Sequence, residues 1–228
     1  MIIYADGIDD LQESTNEPRA LIHPFSNLRA GGRKLATKLG RFCDRDDLVV
    51  LAVVLGGVLV GHEVAKELGA PLDFVIMRHL LAPNGPGSLV SAVNVCGSLV
   101  VDEELLPKTP PSSPLDYFLA DALATLAQRE QTCRAGRPPR DLKDKTVILV
   151  DCGIRSATTM RAAIGALRTK EPAKIITAVP LASCGGYATI ASLTDELVCL
   201  GTPRPFGNVA LWYTDFSRPG DEELAELL

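Results

Sequence analysis

Apolar residues along this chain fall into two kinds of segment. Some are short unbroken runs, and others recur every three or four positions. Leu48 to Val54 and Val147 to Val150 contain no polar residue, as expected of strands covered on both faces. Val60, Val64 and Leu68 share one side of a helix predicted from Val58 to Leu68, which Gly69-Ala70-Pro71 ends. Leu72 to Met77 follows as a strand, then short strands near Val90 to Val95 and Leu99 to Val101. Leu115, Phe118, Leu119, Ala122, Leu123 and Leu126 mark a long helix over about residues 115 to 133.

Further along, Met160, Ala163, Ile164 and Leu167 give another helix its apolar face. Lys174 to Val179 and Glu196 to Leu200 are strands, with a helix from Gly185 to Ser192 between them. Nearer the start, Leu28, Leu35 and Leu39 predict a helix from Phe25 to Phe42. Asp221 to Leu228 reads as a terminal acidic helix with Asp221 as N-cap. Strands alternating with helices predict an α/β fold, a mostly parallel sheet flanked by helices on both faces. Residues 1–24 read as an N-terminal arm, 25–203 as the core, and 204–228 as a small C-terminal hood. Arg134 to Lys143 reads as a basic linker.

Composition narrows the function. A chain of 228 residues with 46% apolar content can bury one full α/β core. Its net charge of −5 argues against nucleic acid or an anionic membrane as partner. The longest apolar run, Leu48 to Val60, is too short to cross a bilayer. Met1-Ile-Ile-Tyr-Ala-Asp6 lacks the basic start and apolar core of a signal peptide, so a cytoplasmic protein is expected. Six cysteines show no C-x-x-C pair, and three histidines show no zinc spacing, so no protein-held metal is expected.

The densest chemistry lies in Val147-Ile-Leu-Val-Asp151-Cys-Gly-Ile-Arg-Ser156-Ala-Thr-Thr159. A strand ends on an acid, and a loop with three hydroxyls enters a helix. Free N–H groups and the helix dipole favour a phosphate there, with Ser156, Thr158 and Thr159 as added donors. Asp151 would face a hydroxyl-rich group beside it, so a phosphorylated sugar fits. A second candidate is Leu55-Gly56-Gly57, where two glycines between strand and helix permit positive φ and close approach to an anion, or simply make a tight turn. For Cys152 two readings stand: a thiol activated by the helix N-terminus and Arg155, or a small residue fitting a crowded loop.

The stretch around Asp151 resembles the diphosphoribosyl-binding signature of type I phosphoribosyltransferases. In that signature an apolar strand and two acids precede a loop of small and hydroxyl residues. Asp151 takes the first acid, and Arg155, Ser156, Ala157, Thr158 and Thr159 the phosphate loop. Cys152 replaces the second acid, Ala157 the usual loop glycine, and Arg155 the acid of purine-specific members. The resemblance continues in order along the chain. Leu55-Gly56-Gly57 matches the pyrophosphate loop with Leu55 in its cationic position. Arg78-His79 matches an Arg-Lys pair, residues 80 to 90 match a closing flexible loop, and Pro205 to Phe216 match a hood whose Trp212 and Tyr213 either stack on a base or pack.

What the resemblance implies is transfer of a phosphoribosyl group from 5-phosphoribosyl 1-pyrophosphate to a nitrogenous acceptor. Asp151 and Arg78 would be the catalytic residues, Gly56, Gly57 and His79 would hold pyrophosphate with Leu55, and Mg2+ would arrive with the substrate. It also implies a homodimer. The charges missing at 55 and 152, and the histidine at 79, leave a second reading open: a sensor that binds a phosphoribosyl compound or nucleotide without turnover.

Overall fold

The computed structural model describes residues 25–54, 56–81, 89–96, 98–101 and 114–227. A seven-stranded sheet runs through it. Its strands are β2 (Leu48–Val53), β3 (Leu72–Leu81), β4 (Leu89–Val95), β5 (Ser98–Val101), β6 (Thr146–Val150), β7 (Lys174–Leu181) and β8 (Glu196–Gly201), in the spatial order β5-β4-β3-β2-β6-β7-β8. The five strands from β3 to β8 in that order are parallel, while β4 and β5 form an antiparallel extension beside β3.

Every residue of β2 and β6 is buried, which explains their unbroken apolar runs. Their side chains alternate between two layers. Val49, Leu51 and Val53 join Val147 and Leu149 beneath α4 (Thr158–Arg168), against Met160, Ile164 and Leu167. Leu48, Val50, Ile148 and Val150 face α1 (Leu28–Leu39) and α2 (Gly57–Leu68), against Leu35, Leu39, Val64 and Leu68. Further along the sheet, Phe74, Ile76 and Ala92 meet Leu126 and Cys133 of α3 (Pro114–Arg134) and Leu224 of α6 (Asp221–Leu227). Helix α5 (Cys184–Ala191) fills the β7–β8 crossover, capped by the Ser183 hydroxyl accepting from Gly186 N at 3.0 Å.

Three boundaries differ from expectation for identifiable reasons. Phe25–Asn27 is a short strand, β1, and α1 starts only at Leu28, because the Asn27 carboxamide accepts from Ala30 N at 2.9 Å and caps the helix. Asp221 is the first residue of α6 and so lies inside the helix rather than capping it. Arg134 belongs to α3 and is buried, not part of a solvated linker. Its guanidinium meets Asp73 at 3.1 Å and Glu130 at 2.7 Å. The stop at Gly69 is as read: its φ of 63° is left-handed, and its N–H closes the helix onto Ala65 and Lys66 carbonyls.

The C-terminal segment packs back on the core as a cover. β9 (Tyr213–Asp215) pairs in parallel with β1, and α6 packs on α3 and α2. Among the described residues, no helix is long and apolar enough to cross a membrane.

Candidate functional site

Strands β2 and β6 are direct neighbours, with Ala52 opposite Val150. The loops that leave them therefore start side by side at the carboxyl edge of the parallel strands, where α/β sheets bind ligands. The two glycines make the contact possible. A Cβ on Gly57 would lie 2.7 Å from the Val150 carbonyl and 3.0 Å from Asp151 Cα, and one on Gly56 would lie 2.5 Å from Cys152 Sγ. Positive φ is not the reason: Gly56 has φ −72°, an ordinary helical value. The sequence pointed to glycine here for positive φ, close approach to an anion or a tight turn, whereas the structure requires it for space against the Asp151-Cys152 backbone and side chain.

Asp151 sits at this junction, partly buried, with its Oδ1 accepting from Cys152 N at 2.7 Å. Desolvation raises its pKa to about 6, against the opposing pull of that hydrogen bond and the positive charge of Arg218. Cys152 is buried, its sulfur lodged beneath Gly56. Burial, reinforced by the Asp151 charge, pushes its thiol well above the ordinary value. Its burial beneath Gly56 favours the small residue in a crowded loop over an activated thiolate.

Beyond Cys152 the loop is pinned from below. Ile154 N donates to Leu181 O at 2.9 Å, Ser183 N donates to Ile154 O at 2.7 Å, and the Ser183 hydroxyl donates to Arg155 O at 2.7 Å. Arg155 and Ser156 are exposed, while Ala157, Thr158 and Thr159 are partly buried at the entry to α4. Ala157 holds the N-cap position and supplies no side-chain oxygen to the first-turn N–H groups. A helix of eleven residues therefore presents an uncapped positive end between hydroxyl side chains.

Arg78 is held against α3. Its guanidinium donates to Thr125 Oγ1 at 2.9 Å and meets Asp121 at 3.4 Å, both on α3. It follows Phe74 and Ile76 on the α3 face of β3, as strand alternation requires. His79 pairs with Ser91 in the β3–β4 ladder. Leu55 and residues 82 to 88 of the expected closing loop lie outside the described residues. β3 itself runs on to Leu81, and β4 begins at Leu89.

The C-terminal cover packs on the loop that follows β6. The Tyr213 hydroxyl donates to Cys152 O at 2.6 Å, its ring stacks on Phe25 at 5.4 Å, and a Cβ on Gly153 would lie 2.9 Å from Val209. Trp212 Nε1 donates to Phe206 O at 2.8 Å. Both aromatics are thus engaged in packing. Arg218, 4.9 Å above the Phe216 ring, is a cation near Asp151 that sequence reasoning missed, because only the fold of the cover brings it there.

Among the described residues, no three His, Cys, Asp or Glu side chains converge as a metal centre. The site offers one carboxylate, Asp151. That donor set suits a magnesium ion ligated mainly by substrate oxygens rather than one held by the protein alone.

A family model described as the phosphoribosyl transferase domain matches residues 22–198. This chain belongs to that family. Two Mycobacterium tuberculosis proteins, from strains H37Rv and CDC 1551, carry the name "Putative phosphoribosyl transferase" and are each 32% identical over 205 residues. The match takes in 90% of this chain but 46% of each relative, so the chain spans about half the length of these curated relatives. Among solved structures, TT1426 from Thermus thermophilus superposes with a TM-score of 0.75 at 30% identity, covering 89% of this chain and 96% of that one. Within this phosphoribosyl transferase domain, the matched span includes the Gly56-Gly57 loop and the Asp151–Thr159 loop and ends before the Tyr213–Arg218 cover.

Proposed function

We propose that the domain binds 5-phosphoribosyl 1-pyrophosphate and transfers its phosphoribosyl group to a nitrogenous acceptor. The observation that carries this reading is the packing of Gly56-Gly57 directly on Asp151-Cys152, which sets the two loops side by side. On this reading the α4 N-terminus, with Ser156, Thr158 and Thr159, holds the 5-phosphate. The Asp151 carboxylate faces the ribose hydroxyls, and backbone at Gly56-Gly57 approaches the diphosphate. A magnesium ion carried by the substrate would supply charge neutralisation for the diphosphate, with Asp151 the carboxylate beside it.

The acceptor nitrogen forms a bond to the anomeric carbon as the bond from that carbon to the diphosphate oxygen breaks. The electron pair departs with pyrophosphate, and the nitrogen's proton passes to solvent. The chain's contribution is to orient the two phosphates and stabilise departing charge. Arg155 cannot accept a proton from a purine ring, which favours acceptors other than hypoxanthine or guanine.

A second reading, binding without turnover, is favoured by one observation: Arg78 is held by Asp121 and Thr125 on α3. Pyrophosphate release assayed against a panel of nitrogenous acceptors separates the two. Release with at least one acceptor supports transfer, while tight binding with no release across the panel supports a sensor.

A further inference from the structure

At the opposite, amino edge of the parallel strands lies a cleft of about 350 Å³, formed where β3 begins and α3 ends. Its floor is Asp73, Phe74 and Arg134, and its rim is Arg137, Pro138, Pro139, Arg140 and Asp141. The volume falls in the range of small-molecule pockets, roughly 300–1,000 Å³. Three arginines line it in a chain whose net charge is −5.

The acids nearby are already occupied. Asp73 accepts from Phe74 N at 2.8 Å and Arg140 N at 2.9 Å, besides its pair with Arg134. Asp141 accepts from Lys143 N at 3.1 Å. The donors, by contrast, are not used up. Arg134 is 8% exposed, and its Nη2 is buried without any hydrogen-bond partner while its Nε and Nη1 are engaged. A buried donor left unsatisfied is unfavourable, so the floor of the cleft carries donor capacity that the fold leaves unused. Arg140 is exposed, and its guanidinium has no ion-pair or hydrogen-bond partner among the described residues. Arg137 uses one nitrogen on the Ala225 carbonyl at 2.8 Å and keeps the rest of its fork free of described partners. Pro138 and Pro139 fix two φ angles between these cations, so the rim is held ready rather than ordered on binding.

We propose that this cleft is a second ligand site, for a small organic oxyanion. Arg137 and Arg140 clamp its charged group at the rim, and a further oxygen reaches toward the Arg134 guanidinium. A phosphate ester and a polycarboxylate share the chemistry that such planar forks recognise. The site lies across the sheet from Asp151 and does not depend on the proposed transfer reaction.

The test is calorimetric titration of the intact chain, at near-physiological ionic strength, with glycerol 3-phosphate and separately with citrate. The wild type is compared with Arg140→Glu, with Arg137→Gln, and with a Ser156→Ala/Thr158→Ala variant of the opposite loop. The expected result is saturable binding of at least one probe, weakened about tenfold or more by Arg140→Glu and by Arg137→Gln, and unchanged by the loop variant. Thermal melts of the variants confirm that each remains folded, as the exposed and unpartnered Arg140 side chain predicts. The proposal fails if neither probe saturates, if both arginine variants bind as wild type does, or if the loop variant abolishes the binding.

Discussion

The Tyr213 hydroxyl donates a 2.6 Å hydrogen bond to the Cys152 carbonyl, tying the C-terminal cover to the loop that carries Asp151. Both groups are buried, so removing the donor strands an acceptor. Tyr213→Phe is expected to lower stability by about 1–3 kcal/mol in denaturant unfolding. It should also weaken phosphoribosyl binding, since the loop loses an anchor. Unchanged stability would mean that the Cys152 carbonyl finds another donor.

Gly56 and Cys152 form a coupled pair. A methyl group at 56 would sit 2.5 Å from the sulfur, so Gly56→Ala is expected to cost on the order of 1–3 kcal/mol through overpacking. Cys152→Ala removes the sulfur and should return a large part of that cost in the double variant. A double-mutant cycle with no coupling energy would contradict this packing.

The same geometry bears on Cys152→Asp, the change that restores the acid of the family signature. The side chain at 152 lies under Gly56. A carboxylate there would be buried next to a second carboxyl group. Loss of stability is expected with no gain in ribose affinity, read by thermal melts and calorimetry together.

Asp151 links stability to pH with a definite sign. Its carboxyl titrates at about 6 in the fold, against roughly 3.9 in an unfolded chain. The folded protein therefore holds this proton more tightly. The resulting stabilisation is present below about pH 4 and lost as pH rises through about 6. Asp151→Asn should remove that pH dependence and stabilise the protein near neutrality by on the order of 1–3 kcal/mol. Ligand affinity should move the other way, rising through about pH 6 in the wild type and low at all pH in the variant. A variant less stable than wild type at neutral pH would overturn this account of Asp151.

At the far edge of the sheet, Asp73 is 3% exposed and pairs with Arg134 across 61 positions of sequence. Asp73→Ala leaves Arg134 buried beside Glu130 alone and strips the Phe74 and Arg140 amides of their acceptor. A loss of about 3–5 kcal/mol is expected in chemical unfolding.

The parts of this fold legible in sequence were those set by local periodicity. The apolar runs of β2 and β6 announce strands covered on both sides, and Met160, Ile164 and Leu167 announce the inner face of α4. The strand–loop–helix order from Val147 to Thr159 was legible because it is contiguous, with β6 ending at Val150 and α4 beginning at Thr158. What sequence concealed depends on contacts between distant residues. Arg134 reads as the start of a basic linker until Asp73 and Glu130 are placed around it. Gly56 reads as a turn residue until Cys152 is found beneath it. Arg78 reads as lying at a strand end, whereas β3 runs on to Leu81 and Asp121 and Thr125 hold the Arg78 side chain against α3. The three-residue pairing of β1 with β9 is too short for any periodicity, and it carries Arg218 toward Asp151.

The most direct measurement is calorimetric titration of the chain with 5-phosphoribosyl 1-pyrophosphate and magnesium, beside the Ser156→Ala/Thr158→Ala variant. The account predicts saturable binding by the wild type, weakened about tenfold or more when the α4 hydroxyls are removed. No binding by the wild type, or binding indifferent to those hydroxyls, would contradict the assignment of this loop as the phosphoribosyl site.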